Sequence, residues 1–132
     1  NKRVEHPRTE YDWLTRDAKE VDAYIAHPSC GFMATTGLLR DLLTGIQFIE
    51  RKENLAKMKK DLPVLFIAGG DDPVGAYGKG VLRAVEEFQK AGMKDVEKRI
   101  FPLGRHEILN EINRQEIYEF TSNWMDRQVE KK

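Results

Sequence analysis

The sequence predicts an α/β fold in which parallel strands are flanked by helices. Three observations carry this. "LPVLFIAGG" (62–70) is a nearly unbroken apolar run, the pattern of a parallel strand covered on both faces. "DVEKRIFPL" (95–103) reads as a second strand. Between and after them lie two amphipathic helical patterns, and the order strand, helix, strand, helix implies parallel pairing through a right-handed crossover.

Taken in order, residues 1–12 are polar and expected to be irregular. Asp17 and Glu20 have capping-box spacing, and Val21, Tyr24 and Ile25 share one helical face behind them. His27-Pro28 ends that helix, because the residue before proline avoids the α region. "SCGFMATTG" (29–37) is a loop. Leu38, Leu39, Leu42, Leu43, Ile46 and Ile49 then form a wide apolar stripe, expected to be a packing helix; lining an apolar substrate cleft is the lesser alternative. "ENLAKMKK" (53–60) is a short, exposed helical turn. After the first strand, Val81, Leu82, Val85 and Phe88 line one helical face, closed by Gly92. Asn113 with Glu116 opens a final helix that turns Ile117, Phe120, Trp124 and Met125 inward. Two parallel strands make a thin sheet, and the first is expected to keep an open edge that needs a neighbour.

Composition narrows the function. The 132 residues hold 40% hydrophobic and 33% charged side chains, as a folded globular domain does. With 22 basic and 22 acidic residues, no net field steers the chain to nucleic acid or an anionic membrane. Cys30 is the only cysteine, so no intrachain disulfide forms, which suits a reducing, cytoplasmic compartment. No apolar run spans a bilayer, and the N-terminus lacks the apolar core of a secretion signal. It also lacks an initiator methionine, so the chain is expected to start in mid-protein or after processing.

In open α/β sheets, catalytic groups gather beyond the carboxyl ends of the strands. "GGDDPVG" (69–75) follows the first strand and "LGRHEILNE" (103–111) the second. Adjacent parallel strands set these loops side by side, so an aspartate of the first is expected to meet His106 of the second. An imidazole is a general base near neutral pH, and a carboxylate on one ring nitrogen fixes its tautomer. Position alone does not choose between Asp71 and Asp72. Each residue also has a plain reading: Gly-Gly-Asp-Asp-Pro is a good turn in its own right, and a loop histidine is commonly only solvated. His6 and His27 are expected at the surface.

Competing motifs fail. "HEILN" (106–110) has Asn110 where a zinc helix needs histidine; "GKG" (78–80) ends in Gly80 instead of Ser or Thr; a dinucleotide fingerprint would need glycine at Arg83. No residue spacing suggests a metal site. Ser29 and Ser122 lack the glycines of a G-x-S-x-G elbow, and no strand leads into Cys30. The pattern therefore offers an orienting carboxylate and a base without a nucleophile.

"LPVLFIAGGDDPVGAYGKGV" and "KRIFPLGRHEILNEINRQEIYEFTSNWM" resemble the C-terminal part of α/β-hydrolases of the monoacylglycerol lipase and lysophospholipase-like group, also called serine aminopeptidase S33. "RTEYDWLTRDAKEVDAYIAHPSCGF" resembles the helical cap and return segment of bacterial members. The resemblance implies a cap and return segment over 1–60 and the C-terminal part of the core over 61–132. It implies Asp72 as catalytic acid, His106 as base and Asp71 as a turn residue, with no metal or organic cofactor. It implies cleavage of an acyl ester, on a lipid-like or small substrate, by a Ser-His-Asp mechanism whose nucleophile and oxyanion hole lie in an N-terminal half absent from these residues; this chain alone is expected to be inactive. The alternative is a non-catalytic α/β interaction module. Under both, assembly is expected, with the missing half or by self-association through the open sheet edge.

Overall fold

The computed structural model describes residue 1 and residues 3–130. Its elements run α1 (Ala18–Ala26), α2 (Thr36–Ile49), α3 (Lys52–Ala56), β1 (Val64–Gly69), α4 (Lys79–Lys90), β2 (Val96–Phe101), a 3₁₀ turn (Ile108–Asn110) and α5 (Arg114–Glu130). The two strands pair in parallel, Val64 opposite Val96 through Gly69 opposite Phe101, with α4 as the crossover. Both predicted strands and the four long helices are present, so the α/β class holds.

The local signals act as expected in several places. Asp17 caps α1 by accepting the Lys19 amide, and His27 closes it. Gly92, at φ +90°, lets the chain leave α4: its amide reaches the Gln89 carbonyl and the Met93 amide reaches Phe88. That pair of bonds is the Schellman closure, for which glycine is the residue without a steric cost. Neither capping box closes fully. Glu20 turns to Arg114 (3.4 Å); the Asn113 side-chain oxygen is taken by Arg16 (2.6 Å), and Glu116 accepts the Asn113 side-chain amide (2.9 Å).

Phe101, Ile108 and Ile117 make the buried core, with Ile67 and Phe120 against it. Phe120 meets Phe101 edge-on at 5.8 Å, and Phe88 of α4 meets Phe66 edge-on at 5.0 Å on the other side of the sheet. Aromatic pairs prefer this arrangement because ring edges are positive and faces negative. The core thus lies between β2, the 3₁₀ turn and α5, directly beneath the carboxyl ends of the strands.

The open edge expected of the first strand is present: among the described residues β2 is the one neighbour of β1, and only Ala68 and Gly69 of β1 are buried. Two expectations need correction. The α2 stripe packs on no core, since none of its residues is buried and Leu38, Leu39, Leu42, Leu43, Ile46 and Ile49 are all exposed. Met125 points outward. In each case an apolar periodicity was met by no covering surface among the described residues. None of their helices is long and apolar enough to cross a membrane.

Candidate active site

The site is built where the two strands end. Gly69 and Gly104 lie back to back: a Cβ on Gly69 would strike the carbonyls of Gly104 and Arg105, and one on Gly104 would come within 2.6 Å of the Ile108 side chain and 3.2 Å of the Gly69 Cα. Only hydrogen at both positions allows this approach. Backbone bonds then lace the loops together, from the Gly70 amide to the Phe101 carbonyl (2.9 Å) and from the Asp71 amide to the Gly104 carbonyl (2.8 Å).

The approach brings Asp72 to His106. Asp72 Oδ1 lies 3.1 Å from His106 Nδ1. The same oxygen accepts the Val74 amide (2.9 Å), and Oδ2 accepts the Gly75 amide (3.1 Å). The carboxylate is therefore held by its own turn before it meets the ring. Asp72 is buried, while the His106 side chain remains 38% exposed. A carboxylate only accepts, so Nδ1 donates and Nε2 is left as the free basic nitrogen. Asp71, which sequence position could not separate from Asp72, lines a cavity of about 370 Å³ with Trp13, Arg16, Tyr77, Leu103 and Arg105.

Sequence reasoning missed the segment that backs the histidine. Residues 1–12 were expected to be polar and irregular, and no contact with the histidine was expected of residues 13–16; the stretch 8–16 is irregular, yet Asp12, Leu14 and Thr15 are buried. The Trp13 ring packs on the His106 ring, centroids 5.2 Å apart and tilted by 40°. His106 and Glu107 amides donate to the Trp13 and Leu14 carbonyls (3.4 and 2.7 Å). Arg105 returns the contact through Nη1, which donates to the carbonyls of Asp12 (2.6 Å) and Thr15 (3.1 Å). Thr15 Oγ1 donates to the Asn110 carbonyl at 2.9 Å. "DWLT" has neither helical nor strand periodicity, so its only sequence signal was a tryptophan and a leucine in a polar stretch.

The 8–17 segment carries a pH dependence. Burial pushes the Asp12 carboxyl up, but the Thr9 hydroxyl and the amides of Arg8 and Thr9 outweigh it and hold it below its ordinary value. The Lys19 amide, then Arg114, lower Asp17. A carboxyl lowered by folding adds stability that is complete above its unfolded value and is lost as pH falls through its folded value. On acidification below the ordinary carboxylate range, this segment is expected to release from His106 before the sheet unfolds. Trp13 emission, followed in a Trp124→Phe background, should change ahead of far-ultraviolet dichroism; coincident transitions would show that the segment is not a separate unit.

The remaining candidates stand apart. Ser29 lies exposed in the turn after α1, Ser122 is exposed in the middle of α5, and Cys30 is half-buried in a loop. His6 and His27 are exposed. Ile108–Asn110 is a 3₁₀ turn, so "HEILN" has no zinc-helix geometry, and among the described residues no group of three or more His, Cys, Asp or Glu is arranged to hold a metal.

A family model described as serine aminopeptidase, S33, matches residues 1–113. The chain belongs to the serine aminopeptidase S33 family. Its fold is that of an α/β-hydrolase of this group. Among solved structures, it is similar to a highly thermostable carboxyl esterase from Bacillus coagulans in complex with glycerol, with a TM-score of 0.77 and 30% identity. That match covers 95% of this chain and 41% of the esterase, so this S33 chain spans less than half of that protein. No curated protein matches it.

Proposed function

We propose that this chain supplies the acid and base of a serine hydrolase that cleaves acyl esters, with Asp72 as the acid and His106 as the base. The observation that carries the reading is the 3.1 Å contact between Asp72 Oδ1 and His106 Nδ1 at the paired ends of β1 and β2, in an S33 chain similar to a carboxyl esterase. His106 Nε2 accepts the proton of a serine hydroxyl as its oxygen adds to the acyl carbonyl. The imidazolium, held by Asp72, returns that proton to the departing alkoxide. Water repeats the sequence on the acyl-serine. No cofactor is required. The substrate class is a lipid-like or small acyl ester, of the lysophospholipase or monoacylglycerol type, with residues near 13–49 bordering the acyl site. A cytoplasmic location belongs to the same reading, from the lone Cys30.

No G-x-S-x-G elbow occurs in the 132 residues, so these residues by themselves are inactive and the serine is carried by polypeptide outside them. The uncovered β1 edge and the bare α2 face are where that polypeptide docks. The test is complementation. Mixed with a segment carrying strands and the elbow of an S33 hydrolase, the chain should gain hydrolysis of a short p-nitrophenyl ester that neither part shows alone. The same open edge favours a second reading, a non-catalytic module that self-associates by strand addition. Binding without turnover in the mixture, with concentration-dependent dimers of the chain alone, would support that reading and defeat the first.

A further inference from the structure

Among the described residues, the one carboxylate with no exposure at all sits behind the candidate base, not in it. Glu111 is 0% exposed and accepts four hydrogen bonds. Oε1 takes the amides of Arg105 (2.8 Å) and Arg16 (3.3 Å). Oε2 takes Arg16 Nε (2.8 Å) and the Ile112 amide (3.2 Å). Two carboxylate oxygens have about four lone-pair positions, so the group is saturated. Arg16 continues through Nη2 to Asn113 Oδ1 at 2.6 Å.

The donors explain the placement. Arg105 directly precedes His106, and Arg16 lies three residues after Trp13. One buried anion thus fastens the backbone beside the imidazole to the segment that carries the ring packed on it. Apolar packing could not replace it, because the Arg105, Arg16 and Ile112 amides would be left without acceptors. From this convergence we infer that Glu111 is a positioning residue for His106, holding the ring between Trp13 and Asp72. The inference rests on His106 being the base, but its first readout is geometric and independent of turnover.

Glu111→Gln offers an NH2 where four donors already point, and it removes the charge opposite Arg16. The expected result is loss of the upfield ring-current displacement that Trp13 imposes on the His106 ring protons in NMR spectra, and loss of the protected Nδ1–H signal. The Ile67 and Ile117 methyl signals beside Phe101 and Phe120 should stay in place. Glu111→Asp, which keeps the charge with a shorter reach, should fall between. In the complemented hydrolase, Glu111→Gln should lower kcat about 100-fold with KM unchanged. Ring protons that do not move, or core methyls that move with them, would overturn the positioning role. If Glu111→Gln does not fold, Arg16→Lys decides by the same signals: it keeps the positive charge but breaks the fork to Glu111 and Asn113, so an unmoved ring there ends the proposal. A ring released in the variant of a mixture that never hydrolyses would instead defeat the catalytic reading and leave the positioning intact.

Discussion

Asp72→Asn lowers kcat of the complemented hydrolase about 10⁴-fold and leaves the sheet folded. The size follows from what Asp72 does in the proposed cycle. As a carboxylate it accepts from His106 Nδ1 and so selects the tautomer whose Nε2 is basic. It also places a negative charge against the imidazolium that forms when the serine is deprotonated. An asparagine keeps the shape but has one acceptor oxygen. With that oxygen toward Nδ1, the amide nitrogen faces the Gly75 amide; turned over, it faces the Val74 amide and forces the ring into the wrong tautomer. Either way the imidazolium loses its counter-charge and one turn amide loses its acceptor. The stability cost of that amide is about 1–3 kcal/mol. His106→Ala removes the base outright and should cost about 10⁶-fold in kcat. Steady-state kinetics of both variants, with circular dichroism as the control for folding, checks the pair. Activity in Asp72→Asn within tenfold of the parent, or in His106→Ala above background, would remove these residues from the mechanism.

Gly69→Ala is expected to have the largest effect on stability of any single methyl added to this chain. The new Cβ would overlap the carbonyls of Gly104 and Arg105, which are backbone atoms and cannot rotate away. Gly69 is also buried at the end of β1 and pairs with Phe101, so the strand cannot shift without breaking the ladder into the core. Relief requires the 104–106 loop to move off, and with it His106. Overpacking against backbone costs about 3 kcal/mol. The expected outcome is a lowered urea midpoint and loss of the Trp13–His106 contact. Gly70→Ala is the control, since its Cβ meets nothing closer than 3.4 Å. If both variants unfold at the same midpoint, close glycine packing is not what brings the two loops together.

The fold was legible because its signals are local. The apolar run at 62–70, the strand pattern at 95–103, the helical spacing of Val81, Val85 and Phe88, and the turn chemistry of Gly92 each act within a few residues. Periodicity reports which side of an element is apolar, but not whether anything lies against it. That is why the α2 stripe, as regular as any in the chain, was expected to pack and stands exposed. The segment around Trp13 failed for the opposite reason. It has no period, and its burial comes from hydrogen bonds to residues more than ninety positions away, such as Thr15 to Asn110.

By itself, then, the sequence determined the α/β class, the order of its elements and two loops rich in chemistry at the strand ends, since these follow from nearest-neighbour backbone and hydrophobic preferences. The family resemblance of the motif favoured Asp72 over Asp71; tertiary structure brings Asp72 to the imidazole, and it alone decided that Trp13 covers the ring and that Glu111 is a buried hub. The physical reason is distance along the chain. A hydrogen bond between residues far apart exists only once strand pairing and the Gly69–Gly104 approach have set the loops within reach, and no local preference encodes that meeting.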